Sequence, residues 1–334
     1  MLKSTEDEID FPLVPAEPEA LDNLKRLHHS ASDYLQQSKA PNTIRAYRAD
    51  WNDFTAWCTA HGRPSLPAEP ETVCLYLAAR AETHKPSTLS RRLTTLGQAH
   101  RAADLANPAD HSAVRAVWQG IRRAKGTAQA RKAPAVTSEL KRMLLALEDV
   151  NPYNQPKLLR DRALLLVGFA AALRRSELIG LDVADVEFHD EGLTLTLHRS
   201  KTDQEGAGRR VGIPFGSRAA TCPVRTLKHW LEKSEISEGP IYRGINQWGR
   251  IASRRLSAQS VALVVKEAAE AAGLDPAKYA GHSLRAGLAT SAAQAGVSER
   301  AIMNQTGHTN VTTVRKYIRE GSLFRENAAA EVGL

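Results

Sequence analysis

Apolar positions in the first third of the chain recur at the period of a helix. From Asn42 to Ala60 they fall at Ile44, Tyr47, Trp51, Phe54 and Cys58, alternately three and four residues apart. That spacing lines one helix face. Pro41 and Asn42 mark its start, and Gly62 with Pro64 its end. Leu89, Leu93, Leu96 and His100 form a second stripe within 87–104. Shorter helices are predicted over 23–38, 71–83 and 111–124, and no strand-like alternation occurs before residue 180. Residues 23–126 therefore read as a small all-helical domain.

The pattern then changes. Residues 127–134, ending in Arg131, Lys132, Ala133 and Pro134, lack periodicity and read as a basic linker. A second domain, 135–334, opens with a helix over 136–147, capped by Thr137 or Ser138. A very apolar helix follows over 158–173. Alternating runs at 183–188, 193–198 and 209–213, with turns at Asp190-Glu191-Gly192 and Gln204-Glu205-Gly206, predict a three-stranded antiparallel meander. Helical patterns resume at 223–233, 257–272, 283–295, 298–305 and 310–319. The expected fold is mainly α with a small antiparallel β meander: a helical N-terminal domain followed by an α+β C-terminal one.

Composition narrows the classes. An apolar fraction of 42% can fill a core, and no run of apolar residues is long enough to span a membrane. Charge is unevenly spread. Residues 1–22 hold one lysine against seven acids and read as an acidic flexible tail, so residues 23–334 carry +14 of a chain whose net charge is +8. A basic body suits a nucleic-acid partner, or is merely that of a basic soluble enzyme. Cys58, Cys74 and Cys222 are widely spaced, which argues against a disulfide framework or a zinc site. There is no secretory signal pattern, so a cytoplasmic location is expected. The absence of Walker, GxGxxG and HExxH motifs leaves nucleotide-driven and zinc-peptidase chemistry without support.

Four clusters in the second domain could carry chemistry. In AALRRSELIGL, 171–181, Arg174 and Arg175 end a leucine-rich helix. Such an arginine either meets an anion or, at the surface, complements the helix dipole. Lys201 in HRSKTDQEG lies between the second and third strands. In GHSLRAG, His282 and Arg285 are three apart, so a helix start puts both on one face, where they can grip one oxyanion. In TGHTNVTTVRKYIR, His308 precedes a helix capped by Asn310 or Thr309, and Tyr317 lies two turns inside it.

Taken in order, Arg174, Lys201, His282-x-x-Arg285, His308 and Tyr317 resemble the active-site set of the tyrosine recombinase, or phage integrase, family. PAEPETVCLYLA (67–78) and the stretch from GHSLRAG to KYIR are similar to its Cre-type members. The resemblance covers roughly 23–327, and implies a core-binding domain followed by a catalytic domain. It implies strand transfer in which Tyr317 attacks the scissile phosphorus and forms a 3′-phosphotyrosyl link while a 5′-hydroxyl departs. Arg174 and Arg285 would clamp the nonbridging oxygens, and His308 would add a donor. His282 would bond near the phosphate and help take the tyrosine proton. Lys201 would give its proton to the leaving oxygen. Glu177 would orient the arginine or histidine side chains. The two arginines would do the charge work of a metal, so neither metal nor cofactor is expected.

Two domains joined by a basic linker could clamp a duplex. Arg122, Arg123, Lys125, Arg131 and Lys132 would meet phosphates, and Arg254 and Arg255 would make further backbone contacts. Thr43, Arg45, Ser87, Arg91 and Arg92 in the first domain, and Ser257, Gln259 and Ser260 in the second, are candidates for helix faces in a major groove. An ordinary solvated face is the alternative for each. The expected partner is double-stranded DNA with inverted-repeat sites. The protein would be a monomer in free solution and a homotetramer on two sites, closed by terminal segments exchanged between neighbours. Alternatives are a type IB topoisomerase-like nicking and relaxing enzyme, or an inactive DNA-binding relative.

Overall fold

The computed structural model describes residues 18–128, 132–150, 154–198 and 208–321. The chain divides into two compact units, within residues 1–129 and 130–334. The first is helical: α1 (Pro18–Gln37), α2 (Pro41–Ala60), α3 (Pro70–Ala81), α4 (Pro86–Ala102) and α5 (Ser112–Lys125). Proline opens α2, α3 and α4. Its missing N–H would be unpaired in a first turn anyway, and its ring fixes φ for helix entry. The predicted stripe is the core. Phe54, Tyr76, Leu77, Leu89 and Leu96 are buried, with Phe54 and Tyr76 packed edge to face at 4.9 Å. His100 is buried too; its Nδ1 donates to the Leu96 carbonyl at 2.8 Å and its Nε2 accepts from the Ala68 N–H at 2.9 Å.

A polar knot crosses this unit. Arg92 is buried and donates to Asp53 at 2.6 Å and to the Tyr76 hydroxyl at 2.8 Å. Arg91 forms a two-pronged bond to buried Asp50 at 2.7 and 2.9 Å. Arg92 is therefore not on a polar face but is used internally, whereas Arg91 pairs with a buried carboxylate and stays exposed.

The second unit begins with α6 (Thr137–Val150), α7 (Gln155–Ala170) and α8 (Arg175–Gly180). Its sheet is β1 (Val186–His189), β2 (Gly192–Leu197) and β3 (Arg209–Pro214), antiparallel with β2 central, so that Leu195 faces Val186 on one side and Val211 on the other. Then come α9 (Pro223–Ser234), a two-stranded hairpin of β4 (Arg243–Ile245) and β5 (Ile251–Arg255), α10 (Ala258–Ala271), α11 (His282–Gln294), α12 (Glu299–Thr306) and α13 (Val311–Gly321). Leu164, Leu165, Val167, Trp230, Tyr242 and Val265 centre the core. Gly287 of α11 lies against the Ala135 backbone, where a Cβ would fall 2.0 Å from the carbonyl oxygen. The end of the expected linker and the first residue after it are tied to this unit by bonds from Ala133 N to Lys278 O and from Ala135 N to Ser283 O.

Several elements differ from the sequence reading. Helix α1 begins at Pro18, so residues 18–22 of the expected flexible tail are helical, and α8 is a short helix the apolar pattern did not predict. The apolar helix expected over 158–173 stops at Ala170, and Ala172 takes a left-handed conformation with φ 50°. The first strand starts at Val186, because residues 183–185 form a 3-10 turn closed by Asp185 on the Asp182 N–H. The β4–β5 hairpin is an addition; strands of three and five residues are too short to show alternation. No helix among the described residues is long and apolar enough to cross a membrane.

Candidate active site

The site forms where α7 breaks. The chain turns at residues 171–174, and Arg174 stands as N-cap of α8. Glu177, one turn on, is buried. It accepts from the Arg174 backbone N–H at 2.9 Å with one oxygen and from Arg174 Nη1 at 2.6 Å with the other. Glu177 thus orients Arg174, but no bond links it to either histidine among the described residues. The Ala172 carbonyl, turned inward by its left-handed residue, accepts from Arg285 Nη1 at 2.7 Å.

Arg285 lies in the first turn of α11 and is 1% exposed. Its Nη2 has no hydrogen-bond partner among the described residues. Burial first, and then neighbouring Arg174, lower its pKa to about 10, so it stays charged at neutral pH. His282 begins the same helix, and its Nε2 lies 2.9 Å from the Tyr317 hydroxyl. His282 is open to solvent on one side. Desolvation on the other, followed by Arg285, Arg174 and Arg175, pulls its pKa below the usual histidine value.

α13 presents Tyr317, which packs at the edge of an apolar cluster of Ala289, Ala293, Ile302 and Val314. Asn310 is the cap of that helix, accepting from the Thr312 N–H at 2.8 Å. His308 precedes it, with its ring centre 6.0 Å from that of Tyr317. Burial first, then Arg285 and Arg174, hold its pKa down to about 4.

The structure adds one cation that the sequence reading missed. Arg209, at the start of β3, lies 3.9 Å from Glu177 and donates to the Gln305 carbonyl at 3.2 Å. Its guanidinium rests against Gly307, where a Cβ would meet it at 2.8 Å. A signal was present: period-two alternation places Arg209 on the face of buried Val211 and Ile213, and Arg210 on the open face. Two guanidinium groups, those of Arg174 and Arg209, therefore share one carboxylate, whose charge also reaches Arg285. Arg209 Nη2, like Arg285 Nη2, is buried with no hydrogen-bond partner among the described residues. Buried unpaired donors of that charge suit an oxyanion.

The structure thus brings Arg174, Glu177, His282, Arg285, His308 and Tyr317 together. Lys201 lies outside the described residues, as does Arg131. Of the expected DNA contacts, Arg45, Ser87, Arg122, Arg123, Lys125, Arg254 and Gln259 are exposed, and Thr43 is half-buried. Ser257 is exposed but serves as the N-cap of α10, its hydroxyl accepting from the Ser260 N–H at 3.1 Å. Lys132 donates to the Ala277 carbonyl. Arg255 is held inward by the Ile179 carbonyl and by Asp182, each at 2.6 Å. It ties β5 to the residues around α8 and is not a free backbone contact.

Comparison with known proteins places the chain in a family. Residues 136–322 match the Phage integrase family, and residues 32–105 match the Phage integrase, N-terminal SAM-like domain. The chain is 43% identical to the integrase/recombinase xerD homolog of Selenomonas ruminantium, over 92% of this chain and 90% of that one. It is 26% identical to recombinase cre of Escherichia phage P1, over 93% and 92%. In fold it is similar to a lambda integrase dimer bound to a COC' core site, with a TM-score of 0.56 and 19% identity over 89% of this chain and 75% of the other. A post-cleavage complex of XerH recombinase on a palindromic difH substrate gives a TM-score of 0.58 at 18% identity, over 78% and 72%.

Proposed function

The chain belongs to the phage integrase family and is a tyrosine site-specific recombinase acting on double-stranded DNA; from that premise we propose that Tyr317 is its nucleophile and that the residues around it carry strand transfer. The observation that carries this reading is the 2.9 Å contact between the Tyr317 hydroxyl and His282 Nε2, set beside two buried arginine-derived donors.

His282 is neutral at pH 7 because its pKa is depressed, so Nε2 can accept the phenol proton. As that proton moves, the phenol oxygen bonds to the scissile phosphorus and the bond from phosphorus to the 5′-oxygen breaks. Lys201 hands a proton to that departing oxygen. Negative charge gathers on the nonbridging oxygens, where Arg174 and Arg285 donate without reorganising, since Glu177 and the Ala172 carbonyl already fix them. Phosphodiester energy is kept in the 3′-phosphotyrosyl link, so a 5′-hydroxyl from a second duplex can reverse the step. Two rounds of exchange pass through a Holliday junction.

We also place the protein on inverted-repeat sites, as a homotetramer joining two duplexes, with a cytoplasmic location to match its substrate. An apolar cavity of about 500 Å³ in the second unit, lined by Leu140, Leu144, Phe169, Ile213 and Leu288, suits a terminal segment from a neighbouring copy. Leu323, Phe324 and Val332 are the apolar residues of that segment, which lies outside the described residues. The exposed cations of α5 suit phosphate contacts that position the duplex. The relatives are recombinases and integrases, which does not favour a type IB topoisomerase-like enzyme or an inactive binder.

The test is covalent trapping. A nicked duplex carrying the protein's site, recovered by selection from random duplexes, is expected to accumulate a protein–DNA adduct without ATP. Tyr317→Phe should bind the same duplex and form no adduct; an adduct from that variant would sink the assignment.

A further inference from the structure

Thr306 closes α12 with its side chain fully buried. Its hydroxyl oxygen lies 2.7 Å from the Ile302 carbonyl oxygen and 3.4 Å from that of Met303. A carbonyl can only accept, and a hydroxyl has one proton. That proton is therefore spent within α12. The same hydroxyl oxygen lies 2.7 Å from Nδ1 of His308. With its own proton committed, Thr306 can only accept there, so Nδ1 must carry the ring proton. A neutral imidazole has one N–H. Nε2, on the opposite edge of the ring from Thr306, is then a bare acceptor. The connection between the two residues is fixed: Gly307 is left-handed at φ 63°, and its N–H bonds to the Met303 carbonyl at 2.7 Å.

The groups around the His308 ring come from every neighbouring element. α11 brings His282 and Arg285, the start of α8 brings Arg174, and β3 brings Arg209. α13 brings Tyr317, and Glu177 stands behind Arg174 and Arg209. Four of these are cations or potential cations, and with burial they keep His308 neutral at pH 7 in the free protein. A bare nitrogen cannot donate to a phosphate oxygen, and the two would repel.

We propose that Thr306 is a positioning residue that locks His308 as its Nδ1–H tautomer, so that His308 donates to the scissile phosphate only as an imidazolium. The inference rests on the assignment of His308 to the phosphate-binding set. As the phosphate docks, one proton from solvent adds to Nε2, and it returns to solvent when the phosphate leaves. His308 makes no bond to phosphorus. Docking of the reacting group is thereby coupled to proton uptake, which a ring free to change tautomer would not require.

The tautomer is read directly in the free, full-length protein by nitrogen-15 NMR of labelled histidines at pH 7.5. The His308 signals are assigned as the pair missing from His308→Gln. Expected is a proton-bearing Nδ1 and a bare Nε2, in the wild type and in Thr306→Ser, which keeps the hydroxyl. Thr306→Val, which is isosteric, should move the population toward Nε2–H. A wild-type His308 with its proton on Nε2 would overturn the proposal, whether or not the valine variant folds.

The coupling is read from the pH profile of adduct formation on the nicked duplex between pH 6 and 9. The other groups of the site are the same in every variant. Wild type and Thr306→Ser should therefore lose one further factor of ten per pH unit on the alkaline side, which Thr306→Val does not lose. Parallel profiles would contradict the coupling. A wild type that forms no adduct at any pH would instead count against the recombinase assignments, and the NMR result would stand apart from it.

Discussion

The hydroxyl of Tyr317 and Nε2 of His282 stand 2.9 Å apart, brought together from α13 and α11 across 35 residues of sequence. Under the proposed mechanism His282 takes the phenol proton; burial first, and then the neighbouring arginines, lower its pKa and favour the neutral ring. The neutral ring is the active form, and its pKa lies below 6.5, so the acid limb of the cleavage profile should fall below the ordinary histidine range. His282→Ala should slow adduct formation by roughly 10²–10⁴. Part of that loss should return as pH rises and the tyrosine ionises unaided. Single-turnover rates on the nicked duplex between pH 5 and 9.5 check both.

Among the described residues, Glu177 is the one carboxylate whose charge acts on Arg174, Arg209 and Arg285. Glu177→Gln leaves those charges without compensation. Removing one partner from a buried ion pair costs about 3–5 kcal/mol. Urea unfolding should show a loss of that order, and cleavage should fall more than DNA binding does.

Gly307→Ala should disturb the site without touching DNA. A left-handed non-glycine residue costs roughly 1–2 kcal/mol, and the new methyl would meet the Arg209 guanidinium at 2.8 Å. Adduct formation should drop at least tenfold, with duplex affinity unchanged. Arg209→Met should reproduce the loss if Arg209 supports Glu177 and the turn before His308.

Arg92 and Arg122 should separate two roles for arginine. Arg92 is buried on Asp53 and Tyr76, so Arg92→Ala should destabilise the first unit by about 3 kcal/mol or more, measured by unfolding. Arg122 is exposed on the last turn of α5. Arg122→Ala should leave stability unchanged and reduce the slope of log affinity against log salt by about one.

Much of this was legible in the sequence, and the exceptions share a cause. The helices of the first unit show in the spacing of Phe54 and Cys58 or Leu89 and Leu96, because amphipathic packing imposes its period. The candidate catalytic residues could be picked out by the order of their residue types, and the structure brings together all of them except Lys201, which lies outside the described residues. Arg92 and Arg255 were misread as surface because periodicity cannot reveal a carboxylate or carbonyl waiting across the fold. The break after Ala170 was hidden by apolar residues on both sides of it, and Ala172 gives no glycine signal for its positive φ. Thr306 carries no motif of its own; its role follows from where one hydroxyl proton goes.

The central claim is that Tyr317 becomes joined to DNA. Peptide mass spectrometry of the protease-digested, trapped adduct measures this most directly. The expected result is a nucleotide remnant on the peptide containing Tyr317, linked through a 3′-phosphate. A remnant on another residue, or a link through a 5′-phosphate, would contradict the account.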